Sequence, residues 1–242
     1  MSDLVTSADR ETARLRDRLA EIEVETATLE AELAAFNSDY MRVVMTVMLD
    51  VQELEARILA MVAARTGASD DADAARTARA RVNETTAHIG AVPKTPGPVP
   101  TGDIKKLFRD AAKRMHPDLA ADEEARGHAE AFMKRLNTAY RANDAEAIVN
   151  LLGQWEASPF GAAAGDDDAA RSALVARRVG ALGDAVGRAE QRLEELRASE
   201  LAQLLDRAMA TAAGGGDLLA EMRRNAEAAL MRARARLAQL DA

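Results

Sequence analysis

The amino-acid sequence predicts an all-α protein in which long coiled-coil helices flank a small helical hairpin. Three observations predict it. Apolar residues make up 48% of the 242 but aromatic residues only 3%, so Ala and Leu must fill most of the interior. Charged residues reach 30%, and an Ala-, Glu-, Arg- and Leu-rich mixture of this kind is the composition of long helices. Apolar positions recur at steps of four and three, and no β-branched or aromatic run alternates with polar residues as a strand does.

The first element is a coiled-coil helix within residues 1–66. Its seam runs through Leu15, Leu19, Ile22, Thr26, Leu29, Leu33, Phe36, Tyr40, Val43 and Val47. From Val47 the next step is four, to Val51, where three was due, and the seam resumes at Leu54, Ile58 and Met61. A shift of this kind unwinds a supercoil locally. At 1.5 Å per residue the helix would be roughly 85 Å long, so it must bury its seam against another helix of this chain or of a second copy. Residues 43–49, VVMTVML, are apolar all round, as in a helix enclosed by several neighbours. A Met-rich contact for a partner is the alternative.

Residues 67–91 hold a short second helix, with Ser69, Asp70 and Asp71 offering caps. Residues 92–101 carry four of the six prolines and form an extended linker. The central module spans 102–155, and 156–170 is a second linker. Within 171–242 a helix to about Ala210 carries Val175, Val179, Leu182, Val186, Ala189, Leu193 and Leu196 on one seam. Gly180, Gly183 and Gly187 lower its helix propensity and suggest a close approach of two helices. Gly214–Gly216 turn the chain into a last helix, 217–240. That helix is basic through Arg223, Arg224, Arg232, Arg234 and Arg236, and the acidic first helix is the partner that its charge suggests. The C-terminal helices then fold back along the rod, and dimerisation through the rod is the competing arrangement.

Charge and motif content exclude several functions. A net charge of −8 disfavours general nucleic-acid binding. The absence of cysteine removes disulfides, thiolate catalysis and Cys-type zinc sites. No phosphate loop, GxSxG, HExxH or dinucleotide fingerprint occurs, so neither enzyme activity, cofactor nor metal is expected. His88 and His128 have no partner at metal-ligand spacing and are expected at the surface. No stretch is apolar enough for a membrane span or leader, and a cytoplasmic protein is the expectation.

The central module carries the most informative residues. Ile104, Leu107, Phe108, Ala111 and Met115 share one face of a helix, and Lys105, Lys106, Arg109, Lys113 and Arg114 decorate the other. Thr101 or Asp103 caps its start, and Pro117 ends it. A second helix places Phe132, Leu136, Ala139 and Tyr140 on one face, to pack antiparallel on the first. Trp155 is expected to pack across the module's boundary.

A basic amphipathic helix running into His116-Pro117-Asp118, then a helix with Phe132, Asn137, Ala139 and Tyr140, resembles the J domain of DnaJ-type co-chaperones. The resemblance covers about 50 residues. It implies docking on a DnaK-type (70-kDa heat-shock) chaperone, whose ATP hydrolysis the module triggers. Asp118 would then pair with a chaperone arginine, Pro117 would fix the loop, and His116 would act as a hydrogen-bonding wedge. Lys105, Lys106, Arg109, Lys113 and Arg114 would steer the encounter. Phe108, Phe132, Leu136, Ala139 and Tyr140 would form the module's core. All of this requires the His-Pro-Asp corner to face outward.

The sequence also departs from the family. Prolines 93, 96, 98 and 100 stand where the first short helix belongs, and flanking helices would have to replace its surface. Asp110 replaces a commonly basic residue, Lys113 a usual Leu, and Leu119 a usual Lys. Gly/Phe-rich and zinc-binding repeats are missing. Two functions therefore stand side by side: a co-chaperone or adaptor whose coiled coils bind a client or complex subunits, and a structural scaffold with an ATPase-uncoupled module.

Overall fold

The computed structural model describes residues 2–93, 98–100, 102–120, 122–158 and 168–241, for 2–6, 8 and 168–178 the backbone only. Among them every regular element is helical, so the chain is all-α. Thr101, expected as a cap, and the side chain of Val175 lie outside the described residues, as do 94–97 and 159–167 of the two linkers. The chain divides into two units: residues 1–32 with 97–199, and residues 33–96 with 200–242.

The first unit contains the larger part of α1 (Ser2–Tyr40), with α4 (Gly102–Met115), α5 (Glu123–Arg141), α6 (Ala145–Glu156) and α7 (Asp168–Arg197). Two apolar clusters meet on α1. On one side Leu19 and Ile22 pack with Leu182, Ala185, Val186 and Leu193 of α7. On the other Ala20, Val24 and Ala27 join the core of α4, α5 and α6. The seam predicted from sequence accounts for the first cluster only. α1 carries a second stripe, Ala20, Val24 and Ala27, which joins the α4–α6 core.

Residues 102–156 form three helices rather than a pair. Asp144 caps α6, its carboxylate accepting a hydrogen bond from the Ala147 N–H at 2.9 Å. α6 then contributes Ile148, Leu151 and Trp155 to the core. Trp155 lies edge-on to Phe132, with 5.4 Å between ring centroids. It therefore packs inside the module and not across its boundary. His128 is half-buried, its ring 4.9 Å from Phe132 and 5.8 Å from Trp155, so the surface expectation holds for His88 alone of these two.

The second unit takes the end of α1 from Leu33, a π-helical turn at Met41–Met45, α2 (Thr46–Thr66), α3 (Ser69–Ala91), α8 (Glu200–Ala213) and α9 (Leu218–Asp241). A π turn holds one residue more than an α turn. It lies a few residues before the step that is one residue too long in the seam. The extra residue is thus absorbed as backbone geometry. Val44 is buried in this turn, which lies against α3 and α9, as the all-round apolar character of 43–49 predicts.

Gly67 ends α2 in the left-handed conformation (φ 65°), its N–H donating to Ala63 O at 3.0 Å, and α3 folds back on α2. α3 lies within the expected 67–91. Its N-cap is Ala68, and Asp70 and Asp71 sit in the first turn, where they complement the helix dipole. α9 packs on α2 through Ala226, Ala233 and Leu237, and Asp217 caps it through the Ala220 N–H. The helix expected to run to Ala210 is broken at Ala198–Ser199.

The three glycines of α7 have another role than close approach. They are exposed, and a methyl group added at any of them would meet no atom within 4 Å. Within the first unit the acidic stretch of α1 pairs with α7: Arg192 meets Glu30 at 2.8 Å and Arg197 meets Glu25, while Arg18 of α1 meets Glu190 at 2.8 Å.

Candidate functional site

The site is the corner between α4 and α5. α4 buries Ile104, Phe108, Ala111, Ala112 and Met115, at the spacing that puts them on one face. Leu107 is half-buried against the same core. The Phe108 and Tyr140 rings lie 4.5 Å apart, and Phe132, Leu136, Ala139 and Tyr140 of α5 are all buried. Tyr140 also reaches α1, its hydroxyl 2.7 Å from Thr28 Oγ1. Ala20, Val24 and Ala27 of α1 pack into the same core.

After Met115 the backbone of His116 turns extended (ψ 132°), as a residue before proline must, and α4 stops. Pro117–Leu119 make one 3-10 turn, held by Leu119 N–H to His116 O (2.9 Å) and Ala120 N–H to Pro117 O (3.1 Å). His116 Nδ1 accepts from the Asp118 N–H at 3.2 Å. That bond directs the other ring nitrogen, Nε2, toward Glu23 of α1, 3.7 Å away. Asp122 then caps α5 through the Ala125 N–H at 2.8 Å.

The corner is covered, contrary to the expectation that it faces outward. His116 is only 8% exposed. Asp118, its side chain 16% exposed, uses both oxygens: Oδ1 meets Arg126 of α5 and Oδ2 meets Arg188 of α7, each at 3.2 Å. Leu119 packs into the apolar cluster between α1 and α7. The physical cause is the leucine itself, since a residue that is apolar beside an apolar seam is drawn into it.

The cationic face of α4 is only partly free. Lys106 is exposed, while Lys105 and Arg109 are half-buried. Lys113 pairs with Asp17 of α1 at 2.7 Å, and Arg114 with Glu156 of α6. Sequence reasoning found His116, Pro117, Asp118 and the five cations. It missed Asp17, Glu23, Arg126 and Arg188, which engage them. Only the i, i+8 spacing of Asp118 and Arg126 across a helix start hinted at one of these.

Among the described residues no group of His, Asp and Glu is arranged to hold a metal ion, and no helix is long and apolar enough to cross a membrane. No protein-family model, curated protein or solved structure matches the chain.

Proposed function

We propose that the chain is a DnaJ-like co-chaperone or adaptor. Through His116-Pro117-Asp118 and the cations of α4 it recruits a DnaK-type chaperone and stimulates its ATP hydrolysis. The hydrolytic chemistry is the partner's, and this chain is no enzyme. One observation carries the reading: an unbroken His-Pro-Asp turn joins a basic amphipathic helix to an antiparallel helix through a Phe108–Tyr140 core. α1, α2, α7 and α9 would bind the client or complex subunits, in the cytoplasm, with self-association through the same helices as a further use.

The test is steady-state ATP hydrolysis by the host's DnaK-type chaperone with the full chain added. Stimulation that disappears in His116→Gln supports the proposal. A scaffold with an uncoupled module is the second reading, favoured by the cover over His116 and Asp118. Stable assembly with no stimulation under any condition would favour it.

A further inference from the structure

We infer that α1 and α7 form an intramolecular clasp over the His-Pro-Asp corner, and that the chaperone competes with α7 for it. This inference rests on the function proposed above and adds its regulation.

Two charges of the proposed docking surface, Asp118 and Lys113, and the ring of His116 each meet an oppositely charged or polar group from outside the α4–α6 module. Arg188 of α7 holds Asp118 Oδ2 at 3.2 Å, Asp17 of α1 holds Lys113 at 2.7 Å, and Glu23 of α1 faces His116 at 3.7 Å. Arg188 has the chemistry that a docking partner would bring to Asp118, a guanidinium aimed at a carboxylate. Leu119 adds an apolar anchor, half-buried against the cluster that α1 and α7 share. With α7 in place, Asp118 Oδ2 is already paired, and a partner must displace Arg188 to take it.

The clasp is built to open. Arg188 is 61% exposed, so its pair with Asp118 is screened by water and weak. An open cleft already runs along this side of the corner, between Pro117, Asp118 and Arg126 on one wall and Ala181, Asp184 and Arg188 on the other. Gly180, Gly183 and Gly187 make α7 easier to unwind than alanine would, and no neighbour requires their small size. A helix that is weak without a packing reason is suited to be displaced. α1 stays in place, since Ala20, Val24 and Ala27 tie it into the module's core.

The experiment measures stimulated ATP hydrolysis with the full chain, below saturation, for two opposed changes. Arg188→Glu replaces attraction by repulsion at Asp118, and a charge reversal at one screened pair should raise stimulation about threefold to tenfold. Replacing the three glycines of α7 by alanine strengthens the helix and should lower stimulation by at least about threefold. Both sites are exposed, and Trp155 fluorescence checks that each variant keeps its core. Adding His116→Gln to Arg188→Glu should abolish the gain. Equal stimulation by wild type, Arg188→Glu and the alanine variant overturns the clasp and leaves the chaperone-docking function standing. No stimulation by any of them, Arg188→Glu included, overturns that function and the clasp with it.

Discussion

Tyr140 joins three parts of the first unit at one side chain: its ring packs on Phe108, and its hydroxyl meets Thr28. Burial raises the phenol's pKa above its ordinary value, the hydrogen bond with Thr28 opposes this, and the negative charge of Glu32 adds to the rise. The unfolded chain therefore gives up this proton first. Tyr140's contribution to stability is complete below pH 10 and is lost as pH climbs through the raised value. Tyr140→Phe should cost about 0.5–1.5 kcal/mol at neutral pH, and should remove part of the alkaline loss. Denaturant titrations at pH 7 and above 10 check both. The seam offers a second comparison. Leu33 is 5% exposed whereas Leu29 is half-buried. Leu33→Ala should cost about 2–5 kcal/mol and Leu29→Ala distinctly less, which thermal melts can rank.

At the scale of elements, the π turn makes a prediction of its own. Deleting Arg42 from Met41–Met45 should be tolerated, because removing one residue there returns the helix to α geometry with both flanking seams in phase. Deleting the exposed Glu55 instead rotates everything after it by about 100° and carries Ile58 off its buried face. Circular dichroism melts should separate the two by many degrees. Periodicity made α1, α2, α4 and α5 legible, since Leu, Ile, Val and Phe mark a face unambiguously. It did not reveal the second stripe of α1, because Ala20 and Ala27 look alike on a surface and in a core. The break at Ala198–Ser199 has neither Gly nor Pro, so no residue announced it. In the candidate site, the His-Pro-Asp turn and its cations were legible as a local motif. Their partners Asp17 and Arg188 lie far along the chain, and no local pattern pairs them.

The molecule as a whole is assembled from stretches that are remote in sequence. Its first unit needs residues 1–32 as well as the module itself. Removing 1–32 should expose the α4–α6 face that Ala20, Val24 and Ala27 cover, and lower the module's melting temperature. Trp155 is the chain's one tryptophan and sits in that core, so its fluorescence reports the loss directly. An unchanged Trp155 transition would show that the module is independent of α1. Arg18 and Glu190 stand 172 residues apart in sequence. During synthesis at about 5–20 residues per second, the amino-terminal helix therefore emerges roughly ten to thirty seconds before the segment that shields it. Through that interval its leucines are bare on the ribosome, where nascent copies on one messenger are close neighbours, and mispairing between them is the hazard this architecture must outrun.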